Sequence, residues 1–148
     1  MKEFRFSRLV IALVVLMKYM TKISDAGKNP AYTSRNFPGM VFMQYTEGKD
    51  TFFTVVSEAD YHRIKKEYWC GTNNYIKTCR AGKTVYLHRE LCPNMRERLY
   101  AHHEGSKFDN RPQMLEAVTP AAHDQHRTYC GDLVIDADDG GNLILSVR

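Results

Sequence analysis

Residues 41–71 read VFMQYTEGKDTFFTVVSEADYHRIKKEYWCG. Two β-branched and aromatic runs, 41–45 and 51–56, flank Glu47-Gly48-Lys49-Asp50. Such runs separated by turn residues predict a hairpin. Ser57 follows, a residue whose hydroxyl accepts from the open amides of a first helical turn. Asp60 lies three residues on, where an acid suits a helix N-terminus. Tyr61, Ile64 and Tyr68 fall at i, i+3 and i+7 and make one apolar stripe. His62, Arg63, Lys65, Lys66 and Glu67 fill the other faces. Trp69-Cys70-Gly71 closes the helix, with Gly available for a left-handed cap.

Downstream, 74–79 and 84–88 are strand-like and joined by Arg80-Ala81-Gly82-Lys83. Pro93 starts a short helix or breaks a loop. Residues 95–103 are helix-compatible, 104–112 loop-like, 114–118 a short strand containing Glu116, and 120–127 a second loop. Leu133-Val134-Ile135 and Leu143-Ile144-Leu145 flank an acidic, glycine-rich turn and predict a last hairpin. Strands grouped after a helix predict an α+β fold, with a single main helix packed on a curved antiparallel sheet.

The 148 residues suit one domain, and 43% apolar content suffices for a core. Residues 1–26 read as a signal peptide. Lys2, Arg5 and Arg8 precede the apolar block LVIALVVLM at 9–17, and Ser24 and Ala26 set a cut before Gly27. No apolar run reaches the ~20 residues that span a bilayer, so no membrane partner is expected for the mature form. Of the 21 bases and 17 acids, the leader holds five and two. The remaining 16 and 15 leave a net charge of +1, which excludes a strongly cationic protein that coats nucleic acid. GKNPAYTSRNFPG at 27–39 is polar and reads as the core of a flexible arm spanning 27–40, ahead of a domain at 41–148.

Secretion permits disulfides. Cys70, Cys79, Cys92 and Cys130 are even in number and allow three pairings, which the sequence leaves open. His123, His126 and Cys130 match no common zinc spacing, so neither a metal nor a cofactor is expected.

The order of segments resembles the small secreted microbial ribonucleases, and above all the ribonuclease-like secreted effectors of powdery mildew fungi. Gln44-Tyr45-Thr46 through Cys70 resembles the opening hairpin and the single helix ending at a Cys. Leu91-Cys92-Pro93-Asn94 sits where the enzymes carry Tyr-Pro-His. His103-Glu104-Gly105-Ser106-Lys107-Phe108 resembles Asn-Tyr-Glu-Gly-Phe. Met114-Leu115-Glu116-Ala117-Val118 sits at the strand with the catalytic Glu. Gly131-Asp132-Leu133-Val134-Ile135 resembles Ala-Asp-Arg-Val-Val, and 141–147 resembles the strand leading to the last catalytic His. The resemblance implies a microbial ribonuclease-like fold.

RNA cleavage by this route needs a base for the 2′-hydroxyl, an acid for the leaving oxygen, and cations at the phosphorane-like transition state. In the aligned positions only Glu116 survives as a base. The His becomes Asn94, the Tyr becomes Cys92, the phosphate-binding Arg becomes Leu133, and the final acid His has no counterpart. Losing members of a site that works as a unit costs orders of magnitude in rate. The resemblance therefore implies a secreted, catalytically inactive effector, delivered into or around host plant cells. It would act by binding host protein or RNA, and it would be open to recognition by a plant immune receptor. Tyr86, Tyr100, Phe108 and Tyr129 are the candidate binding platforms, since unstacked bases pack on rings. The alternatives are an active ribonuclease using Glu116 with His102 or His103, or an unrelated disulfide-stabilised secreted protein.

Overall fold

The computed structural model of the protein describes residues 2–5, 20–125, 133–137 and 143–147. Among these, the elements run β1 (Lys2–Arg5), β2 (Thr21–Lys22), β3 (Ala31–Thr33), β4 (Met40–Glu47), β5 (Asp50–Ser57), α1 (Glu58–Ile64), β6 (Cys70–Thr72), β7 (Tyr75–Arg80) and β8 (Lys83–Tyr86). There follow α2 (Leu87–Leu91), β9 (Tyr100–His103), a 3-10 turn (Pro112–Met114), β10 (Leu115–Val118), α3 (Pro120–Gln125), β11 (Leu133–Ala137) and β12 (Leu143–Val147). The fold is α+β, with mostly antiparallel strands and few, short helices. Sheet orders are β2-β3-β4-β5, β6-β7-β8, β9-β10 and β1-β11-β12.

The hairpins follow from their turn residues. Glu47 pairs with Asp50, leaving Gly48-Lys49 as a two-residue loop. Gly48 has φ +62°, the backbone that a type II′ turn asks of its first central residue. Asn73 and Asn74 between β6 and β7 both have positive φ, as do Ala81 and Gly82 between β7 and β8. Both loops match the type I′ turn, whose twist fits the flanking strands. In β7 the residues alternate, with Ile76 and Thr78 buried and Tyr75, Cys79 and Arg80 exposed. That period of two turns Tyr75, Lys77 and Cys79 to one outward face.

The β4–β5 hairpin is the centre of the core. Val41, Phe42, Met43, Val55 and Val56 are essentially inaccessible, and Tyr61 and Ile64 of α1 join them, with Trp69. The Ser57 hydroxyl accepts from the Asp60 amide at 3.2 Å, the expected cap. Asp60 itself takes the Arg63 guanidinium at 2.7 Å.

Four expectations need correction. The helix stops at Ile64 instead of running to Cys70, and Tyr68 is exposed instead of completing the stripe. The chain turns there because the Trp69 indole N–H donates to the Ile64 carbonyl at 3.0 Å, satisfying a helix-end acceptor while burying the ring. Second, the segment 27–40 carries a strand, β3, that joins the sheet. Ala31 and Tyr32 pair with Met43 and Phe42. The buried Asn29 side chain donates to the carbonyls of Trp69 (2.8 Å) and Gln44 (3.0 Å) and accepts from the Trp69 amide (2.8 Å). Within this segment Asn29 turns inward, and its side-chain amide is hydrogen-bonded at both its oxygen and its nitrogen, whereas Lys28, Arg35 and Asn36 stay exposed. Third, 95–103 is a loop entering β9. The Arg89 guanidinium holds the loop by donating to the Leu99 carbonyl at 2.6 Å. Fourth, 120–125 within the expected second loop is helical. Pro120 opens α3, and the Thr119 hydroxyl accepts from the Ala122 amide at 3.3 Å.

Two further differences concern 84–91 and the cysteines. The strand at 84–88 ends at Tyr86, and α2 forms ahead of Pro93. Cys70, Cys79 and Cys92 are free thiols. Cys130 lies outside the described residues. The last hairpin forms as expected, with Ile135 opposite Leu145.

Candidate functional site

Three tyrosines are exposed around one cleft. Tyr75 comes from β7, Tyr86 from the end of β8, and Tyr100 from the start of β9; their exposures are 49%, 36% and 46%. With His88 and Arg89 of α2, Ala101, and His123 of α3, they line an open volume of about 310 Å³. An exposed Tyr keeps a large apolar ring in water, and gathering three of them is the composition of a recognition surface rather than of a core.

The cleft wall is a ladder of rings. Tyr75 stacks on His88 at 5.2 Å between centroids and 19° between planes, and His88 stacks on His103 at 5.5 Å and 21°. Tyr86 meets both Tyr75 and His88 edge-on. Opposite, Tyr100 meets His123 edge-on at 5.1 Å. Burial pulls the His88 imidazole down to about 4, aided by the nearby His103, Arg89 and His123. His103 is lowered too, mainly by burial, against the raising effect of its bond to Asn110. Both imidazoles are neutral at neutral pH, so they stack without charge repulsion.

A chain of hydrogen bonds fixes the His103 tautomer. The Phe108 carbonyl can only accept, and it takes the Thr54 hydroxyl proton at 2.8 Å. The Thr54 oxygen is then the acceptor for the Asn110 amide N–H, also at 2.8 Å. That orients the Asn110 carbonyl toward His103, so the Nε2–H of His103 donates to it at 2.8 Å. One backbone carbonyl thus sets the proton order across four residues. Val55 seals the arrangement from both sides, donating to the Phe108 carbonyl and accepting from the Asn110 amide.

The expected site residues divide. Tyr86 and Tyr100 line the cleft. Phe108 is 3% exposed and belongs to the core, stacked on Phe52 at 6.1 Å, so its reading as a platform is corrected. Tyr129 lies outside the described residues. His103 is bound into the ladder and faces away from Glu116. His102 is the direct cross-strand partner of Glu116, which puts both on one face of the β9–β10 pair. His123 approaches His102 edge-on at 6.0 Å. Among the described residues no group of three His, Cys, Asp or Glu is arranged to hold a metal ion. Sequence reasoning did not assemble Tyr75, Arg89 and His123 into the cleft. The alternation of β7 marks Tyr75 as outward, but nothing local joins it to α2 and α3.

Comparison with protein-family models, curated proteins and solved structures finds no match to this chain.

Proposed function

We propose that the protein is a secreted, ribonuclease-like effector of a plant-pathogenic fungus that binds single-stranded RNA and does not cleave it efficiently. One main helix, α1, resting on a curved sheet centred on the β4–β5 hairpin is the architecture this reading assigns. The observation that carries the binding is the gathering of Tyr75, Tyr86 and Tyr100 around a cleft whose wall includes the His88 imidazole, held neutral by burial. Unpaired bases stack on such rings at ~1–3 kcal/mol each. Among the described residues the lining holds Arg89 and no carboxylate, which favours a neutral or anionic ring ligand over a cationic one. A general acid must carry a proton at working pH, and His88, pulled down to about 4, carries none at neutral pH.

A second reading, an active ribonuclease, rests on the Glu116–His102 pairing, which supplies a carboxylate and an imidazole side by side. One experiment separates the two. The purified protein is mixed with fluorescently labelled single-stranded RNA, and both binding and release of fragments are followed. The proposal expects saturable binding without fragments. Fragment release abolished by Glu116→Ala would select the second reading, and no binding would reject the first.

A further inference from the structure

The outward face of β6–β7–β8 continues beyond the cleft. Register places Cys70 opposite Lys77 and Cys79 opposite Thr84. Tyr75, Lys77 and Cys79 are successive outward residues of β7, and Lys77 stands opposite Tyr86. A groove of about 460 Å³ lies over this end of the face, lined by Lys28, Lys66, Lys77, Cys70, Cys79 and Thr84 among others. Tyr75 and Tyr86 of the cleft and the lysine-bearing groove therefore share one sheet face, with Lys77 at the junction.

The groove is electropositive. Its carboxylate, Glu67, is taken by the Arg80 guanidinium through two contacts at 2.5 and 3.1 Å. That pairing holds the Glu67 carboxyl below its usual range, with Lys28 adding a smaller contribution. Arg80 also reaches Glu90 at 3.1 Å. Among the described residues Lys28, Lys66 and Lys77 form no ion pair, so three ammonium groups face the groove. A row of cations beside a stacking cleft is the combination that follows a single strand, with rings holding bases and cations following phosphates.

We infer that this groove is a phosphate track, a second subsite in which Lys28, Lys66 and Lys77 hold the backbone of an RNA strand whose base lies in the tyrosine cleft. The inference rests on the RNA-binding reading and adds a direction to it. The strand leaves the cleft at Tyr86 and passes Lys77 toward Cys79. A mononucleotide fills the cleft alone, whereas an oligonucleotide covers the groove.

The two groove thiols report occupancy without mutation. Cys79 is exposed, while Cys92 is buried and its thiol pushed up by that burial. Alkylation of the full chain is followed by peptide mass mapping, alone, with adenosine monophosphate, and with single-stranded oligoadenylate. The track expects oligoadenylate, but not the mononucleotide, to slow Cys79 alkylation severalfold. It also expects the salt dependence of oligoadenylate binding to flatten by about 2 in the log–log slope when Lys28, Lys66 and Lys77 are all changed to Gln, at ~0.7 per lost contact on a single strand. Tyr86→Ala should weaken binding without changing that slope. If RNA binds and Tyr86→Ala weakens it, but Cys79 stays unprotected and the slope is unchanged, the track is overturned and the cleft stands. If no RNA binds, both fall together.

Discussion

Replacing Asn110 by Ala breaks the chain of hydrogen bonds that holds His103 in the ring ladder, and the cost follows from its geometry. Asn110 is 2% exposed and its side chain makes two bonds of 2.8 Å. Its removal leaves the His103 Nε2–H without that acceptor in a mostly buried position, at ~1–3 kcal/mol. The lost bond to Thr54 adds about 1 kcal/mol, while the Thr54 hydroxyl still donates to Phe108. Asn110→Ala should therefore cost about 2–4 kcal/mol of unfolding free energy, summed from those two contributions. Thr54→Val removes the acceptor for the Asn110 amide and should cost about 1–2 kcal/mol. Because the two variants share one bond, the double variant should fall short of their sum by about 1 kcal/mol. Urea denaturation followed by fluorescence of Trp69, the sole tryptophan and fully buried, reads all three. A cost below about 0.5 kcal/mol for Asn110→Ala, or strict additivity in the double variant, would refute the assigned proton order.

Three further outcomes follow from the same reasoning. Asn29→Ala strips Trp69 of two hydrogen bonds and Gln44 of one, and should cost about 3–5 kcal/mol by urea denaturation; a change within about 0.5 kcal/mol would mean that 27–40 is a loose arm after all. Stability should fall as pH drops from about 6.5 to about 4, because the unfolded chain protonates His88 there and the folded one does not. The loss attributable to His88 is at most ~3 kcal/mol, and His88→Gln should flatten the curve of melting temperature against pH across that window. Tyr86→Ala should weaken RNA binding about tenfold to a hundredfold with little change in stability, whereas Phe108→Ala should destabilise by ~3–5 kcal/mol. Equal effects of the two on stability would contradict the division between cleft and core.

Local chemistry made part of the fold legible and tertiary bonding hid the rest. The β4–β5 hairpin was readable because two β-branched and aromatic runs flank a glycine turn, and the start of α1 because Ser57 caps it. The end of α1 was not, since it depends on the Trp69 indole reaching back to Ile64 and on Asn29 fixing Trp69 from forty residues away. The same long-range bonds tie down a segment that reads as loose, because one of its polar residues, Asn29, turns inward. The opening of α3 was available in Thr119-Pro120, a cap followed by a first-turn proline, but the short helix lacks an apolar stripe to draw attention to it. Tyr86 and Tyr100 could be named as platforms but not separated from Phe108, because exposure depends on packing rather than residue type. The ring ladder brings β7, α2 and β9 together, a juxtaposition no spacing along the chain encodes.

Entry of an unpaired nucleic-acid base into the tyrosine cleft is the event on which the proposed function turns. Titration of single-stranded RNA into the full chain, read by quenching of tyrosine fluorescence and by gel analysis of the RNA afterwards, addresses it in one sample. Base stacking in the cleft should give saturable quenching that Tyr75→Ala and Tyr86→Ala each weaken, with the RNA recovered intact. Quenching that both substitutions leave unchanged, or RNA recovered as fragments, would contradict it.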